Sequence, residues 1–248
     1  GTEHEKPKDG SRFHEEMDRL PHYRPPAVLL PHGTVGNSAS GIAPDVSKGK
    51  FGPFKEQLFV ADQTHSAVNR CFLEKINGYY QGACFPFVKG FGSGNVPVVQ
   101  APDGSLFSGG TDRGWGARGG KRYALDRVVW TGKTPFEILE MRIKKDGFEL
   151  EFTKPVDNTS AESIESYEMK THTYIFQGKY GSPRVDASTP TIKSAKLAKD
   201  GMTVRLMVEG MQRGHIHELK SAGVRSKEEN HPLLHDMAYY TIWHFPKS

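Results

Sequence analysis

The feature that most constrains this chain is the regular return of Asn-Gly or Asp-Gly pairs between short alternating runs. Asn77-Gly78, Asp103-Gly104, Asp146-Gly147 and Asp200-Gly201 each stand between two such runs. Pairs of this kind supply the positive φ angles that tight turns demand. Around them, apolar and polar side chains alternate. Leu139, Met141 and Ile143 alternate with Glu140 and Arg142; Phe148, Leu150 and Phe152 with Glu149 and Glu151; Val204, Leu206 and Val208 with Thr203 and Arg205. A period of two places one set on each face of a strand. Further strands are expected at 57–62, 68–76, 79–87, 96–100, 106–108, 125–131, 173–177, 191–197, 215–220 and 238–245. Only Arg12 to Leu20 reads as a short helix. The chain is therefore expected to be all-β.

Glycine divides the chain. Of 27 Gly, 20 lie in residues 1–132 and 7 in 133–248. This skew predicts a boundary near Gly132. Residues 1–26, with Pro7, Pro21, Pro25 and Pro26, read as a polar arm or linker. Residues 27–132 read as short strands with long glycine-rich turns, and residues 133–248 as a β-sandwich of about seven strands. The charge is +4, with 16 Lys and Arg against 13 Asp and Glu up to Gly132 and 17 against 16 after it, small values that leave no electrostatic footprint for nucleic acid. No apolar stretch approaches the length of a membrane span. The opening Gly1-Thr2-Glu3-His4 carries no initiator Met and no signal peptide, which suggests a processed or truncated chain.

Cys71 and Cys84 flank Asn77-Gly78 at equal distances, so a two-residue hairpin sets them opposite each other. Two outcomes stay open: a cross-strand disulfide in an oxidising compartment, or a pair of buried free thiols.

Three segments of the first part resemble the last blades of soluble quinoprotein sugar dehydrogenases, which are six-bladed β-propellers. They are Asn37-Ser38-Ala39-Ser40-Gly41 before Gln57-Leu58-Phe59-Val60-Ala61-Asp62, then Asn69-Arg70-Cys71-Phe72-Leu73, then Gln100-Ala101-Pro102-Asp103-Gly104-Ser105-Leu106. The second part resembles a bacterial Ig-like module, through residues 146–157, Ser166-Tyr167, Asp200-Gly201-Met202-Thr203-Val204-Arg205-Leu206 and Gly214-His215-Ile216-His217-Glu218-Leu219. Together they look like the C-terminal region of secreted proteins of planctomycete-type bacteria. The resemblance implies a partial β-propeller of two or three blades followed by an Ig-like β-sandwich. It implies a secreted or periplasmic location. It also implies the C-terminal portion of a sugar-dehydrogenase-like oxidoreductase linked to electron transfer. The partners would be the remaining blades of the parent chain or a partner subunit, with a c-type cytochrome or cupredoxin. The cofactors it suggests are pyrroloquinoline quinone and calcium. The basic residues that the family uses for the quinone carboxylates are missing: the matching stretches read Gln63-Thr64-His65 and Gly94-Asn95-Val96-Pro97. That gap favours a second reading, a non-catalytic binding or assembly subunit of an extracellular or periplasmic complex.

The candidate catalytic residues are His32, Asp62 and His65, because a His–Asp pair at converging strand ends could take a hydroxyl proton from a sugar. The candidate ligand-binding residues are Asp112, Arg113, Trp115 and Arg118. Two guanidinium groups beside an indole suit an anionic or sugar ligand. Asp103, Asp112 and Asp157 are weighed as calcium ligands, and His215 and His217, on one strand face, as half of a metal site, with His231, His235 and His244 near in sequence. In both cases the ordinary structural role weighs more.

Overall fold

In the computed structural model, which describes residues 5–247, the chain is mostly β: 43% strand and 6% helix. The opening tetrapeptide lies outside the described residues. The elements are α1 (Phe13–Arg19), β1 (Ala39–Pro44), β2 (Leu58–Asp62), β3 (Ala67–Ile76), β4 (Tyr79–Lys89), β5 (Asn95–Gln100), β6 (Leu106–Thr111), β7 (Tyr123–Val128), β8 (Ile138–Lys144) and β9 (Gly147–Phe152). There follow α2 (Asn158–Glu162), β10 (Glu168–Thr173), β11 (Val185–Ser188), β12 (Thr191–Leu197), β13 (Thr203–Glu209), β14 (Ile216–Lys220) and β15 (Met237–Thr241). No described helix is long and apolar enough to cross a membrane.

Eight strands form one antiparallel sheet in the order β1-β2-β3-β4-β15-β14-β10-β11. The seam lies between β4 and β15, with Tyr239 opposite Cys84, Tyr240 opposite Ala83 and Thr241 opposite Gly82. This sheet thus takes strands from both sides of Gly132, the expected boundary. The strands expected as propeller blades form no closed propeller: β1 to β4 are an open meander that β15 continues.

Two smaller sheets cover one face of the large one. The sheet β12-β13-β9-β8 packs across β3, β4, β15 and β14, and its alternating residues meet Phe72, Phe85, Met169, Leu219 and Tyr240 in the main core. The sheet β5-β6-β7 covers the other end, where Val98 and Leu106 join Phe51, Phe54, Phe59 and Val68. The opposite face, with Val60, Cys71, Cys84, Ile216 and Tyr239, is closed by Val28, Leu29, Leu30 and Val35. The described part of the first segment is therefore packed rather than trailing. Phe13 of α1 meets Phe176 edge-on at 4.6 Å, and Asp18 accepts both guanidinium nitrogens of Arg213 at 2.8 Å. Its few apolar side chains suffice because they fall on one helix face.

Candidate functional site

The turn after β2 and the loop 112–122 form one region. The strand β6 runs on through Gly109 and Gly110 to Thr111, so the loop starts later than its glycines suggest. Its backbone is held from four neighbouring residues, Gln63 and Ser66 buried, Thr64 and Gly92 half-buried. The Gln63 amide donates to the carbonyls of Thr111 (2.9 Å) and Trp115 (2.8 Å). Arg118 N donates to Thr64 O at 3.0 Å, Gly119 N to Ser66 Oγ at 2.8 Å, and Lys121 N to Gly92 O at 2.9 Å.

Asp62 is fully buried and spends its carboxylate on the backbone. One oxygen accepts from Asn37 N (2.7 Å) and Ser38 N (2.8 Å), the other from His65 N (2.8 Å). His65 Nδ1 lies 3.8 Å from that second oxygen, beyond a hydrogen bond. Burial pushes the His65 imidazole down in pKa, Asp62 draws it partly back, and Arg118, Lys89 and His32 push it down further. His32 is exposed, and its amide donates to the Tyr174 hydroxyl at 3.0 Å. The three residues thus share a neighbourhood, but the carboxylate is a brace for two turns.

Of the four ligand-binding candidates, Arg113, Trp115 and Arg118 are exposed and Asp112 is half-buried. The Trp115 ring faces Tyr180, which stands exposed on the loop between β10 and β11; the centroids are 6.3 Å apart and the planes 52° from parallel. Sequence reasoning missed Tyr180. Its only signal is an aromatic residue between Lys179 and Gly181, in a stretch whose composition reads as a turn.

The other candidates have structural duties. Asp103 accepts from Ser105 N at 3.0 Å and pairs with Arg127, and Asp157 caps α2 by accepting from Ser160 N at 2.8 Å. Gln212 N donates to His217 Nε2 at 3.2 Å, and His235 meets Glu137 at 2.7 Å. His231 lies 3.4 Å from Glu229, while His244 stacks against Tyr79 with ring centroids 4.3 Å apart. His215 is buried. Among the described residues no three His, Cys, Asp or Glu side chains converge as a metal set. Cys71 and Cys84 face each other in register as buried free thiols. The positions that match the family's quinone-binding stretches do not fit the group. Gln63 is committed to the loop, and the Asn95 amide donates to Ser108 Oγ at 2.7 Å inside the core.

No family model matches the chain, and no curated protein matches it. Two solved structures share a local likeness. One is surface layer protein SbsC, domains 1–6, with 16% identity and a TM-score of 0.35 over 48% of this chain and 15% of that one. The other is the N-terminal part of the bacterial S-layer protein SbsC, with 15% identity and a TM-score of 0.34 over 48% of this chain and 26% of that one. The chain thus spans about a quarter or less of either, and the overlap carries no argument about function.

Proposed function

We propose that this chain is a non-catalytic binding or assembly module whose recognition surface is the 112–122 loop. One observation carries the reading. Trp115, Arg113 and Arg118 stand exposed on a backbone anchored at buried groups, while Asp62 is sealed and already bonded. A general base must reach the proton it removes. A recognition surface needs exposed donors and rings held in place beforehand, because ordering them on binding costs affinity.

In this reading the module belongs to a secreted or periplasmic assembly, as an accessory part of a sugar-dehydrogenase-like protein or beside one. Its partners would be further propeller blades and a c-type cytochrome or cupredoxin. The meanders β1–β4 and β5–β7 support blade-like ancestry for residues 27–132. The stacking of β8, β9, β12 and β13 on β10, β14 and β15 supports an Ig-like sandwich for residues 133–248.

A glycan array probed with the chain and with Trp115→Ala tests the proposal. Binding lost in the variant supports it, and binding that survives removes this loop from it. Sugar-dependent dye reduction by the purified chain, with quinone and calcium added, would put the oxidoreductase in its place.

A further inference from the structure

Charge is distributed unevenly at a finer scale than the two halves of the chain reveal. Residues 112–133 hold six Lys and Arg but only two Asp, an excess equal to the +4 of the whole chain, so all other positions balance. Asp126 is occupied by Gly92 N at 3.0 Å, and Arg127 is paired with Asp103. Arg113, Arg118, Lys121 and Arg122 have no side-chain ion pair or hydrogen bond among the described residues. Lys89, at the end of β4, and His32 lie close enough to add their fields at His65, next to Arg118. Of the carboxylates nearby, Asp62 is fully buried and bonded, and Asp112, half-buried in the loop itself, makes no ion pair with these cations among the described residues. The surface is therefore a patch in which unpaired cations outnumber the nearby carboxylates.

Exposed rings stand in this patch, Trp115 at 52% and Tyr123 at 76%, and Tyr180, at 80%, faces Trp115 from the loop between β10 and β11. Beside Tyr180, Gly181 and His32 line a cavity of about 320 Å³ together with Tyr174, Phe176, Gln177 and Ser182.

We propose that the Trp115 loop and the Tyr180 loop together bind an acidic oligosaccharide, with sugar faces on the two rings and carboxylates on Arg118 and its basic neighbours. This rests on the binding-module reading above. The C–H groups on one face of a pyranose carry partial positive charge and are attracted to the negative face of an aromatic ring. A carboxylate takes a guanidinium through two parallel hydrogen bonds, and here no internal pair must break first. Ring geometry argues against nucleic acid. A base held between two rings needs them near parallel, whereas these planes are 52° apart with centroids only 6.3 Å from each other. A puckered sugar can lie on each ring separately.

Affinity electrophoresis and calorimetric titration of the whole chain with oligogalacturonate, a neutral cello-oligosaccharide and single-stranded oligothymidylate test this. Oligogalacturonate should bind, and more weakly as salt rises. Arg118→Ala, Trp115→Ala and Tyr180→Ala should each lower affinity about tenfold or more with the melting temperature unchanged. Lys199→Ala, on the β12–β13 turn, should leave it as it was. Equal, salt-independent binding of the neutral sugar that Trp115→Ala abolishes would overturn the acidic class yet keep the binding module. Tighter binding of oligothymidylate would overturn it in favour of nucleic acid. Binding untouched by Tyr180→Ala would dissolve the two-loop site. Silence with all three probes would overturn the ligand class, leaving the array to decide the module.

Discussion

Arg70 shows what a single residue does here. It is fully buried on β3 between the rings of Phe54 (4.7 Å) and Phe85 (4.4 Å). It donates to Gln57 Oε1 at 2.5 Å and to the carbonyls of Leu139 (2.8 Å) and Ile138 (2.6 Å). It thus ties the large sheet to β8, where the two cores on that face meet. Burial pushes its guanidinium down to about 10, still charged at neutral pH. Arg70→Met keeps most of the volume but removes the donor to Gln57 Oε1 and Ile138 O, while Leu139 O keeps the Gln57 amide at 2.8 Å, so a loss of about 3 kcal/mol or more is expected in urea denaturation; a loss below about 1 kcal/mol would refute the tie. Two histidines set an acid limit. Burial lowers His172 to about 4 and His217 to about 3, and nearby Arg184 (for His172) and His215 (for both) push the same way. The folded chain holds both rings neutral, while the unfolded chain protonates them near 6.5. Stability from this source is whole above about pH 6.5 and falls as pH drops below it. A melting temperature that stays flat between about pH 7 and pH 5 would contradict this. The sequence made Asp62 and His65 visible as turn residues. It could not show Asp62 sealed, because Asn37 and Ser38, which donate to it, are 25 and 24 positions away.

At the scale of elements, the β3–β4 hairpin was the most legible. Asn77 at φ 50° and Gly78 at φ 88° make the tight turn, and Cys71 falls opposite Cys84 as the symmetric spacing requires. A hydrogen bond with Cys71 and burial push the Cys84 thiol well above its usual range. Both cysteines should therefore resist a thiol reagent in the native protein and react after unfolding; rapid native labelling would mean that the hairpin opens. Gly82 sits on the same hairpin, facing β3. A Cβ there would lie 1.9 Å from the Phe72 carbonyl oxygen, which is backbone and cannot yield. Gly82→Ala should cost several kcal/mol, on the order of a disrupted core, and lower the melting temperature sharply. Less legible was β10, which occupies 168–173 instead of the expected 173–177. Its inward positions include Thr171 and Thr173, whose hydroxyls donate to Ile216 O (2.8 Å) and Gly214 O (2.7 Å). Buried threonines do not read as an apolar run. The short edge strands β1 and β11 carried no alternating pattern either, since pairing with one neighbour is what makes them strands.

At the scale of the molecule, the pairing of β4 with β15 matters most. It joins residues on both sides of Gly132 in one sheet, and the main core includes Phe72 and Phe85 with Leu219 and Tyr240. The whole chain should therefore unfold in one transition, with calorimetric and van't Hoff enthalpies equal. Residues 1–132 alone would expose the β4 edge and half of that core, so they should fail to fold when expressed separately. Two separate melts, or a well-folded 1–132 fragment, would refute this. The sequence by itself determined the all-β class, most strand positions and the hairpin turns. Those depend on side-chain alternation and backbone φ within a few neighbouring residues. It also placed Arg113, Trp115 and Arg118 on a glycine-rich loop. Only the tertiary structure decided that the two halves share a sheet, that Asp62 is a buried brace, and that Tyr180 stands beside Trp115. Each of these depends on contacts between residues far apart in the chain. Such contacts are chosen by how sheets stack and bury their faces, and no local pattern records that choice.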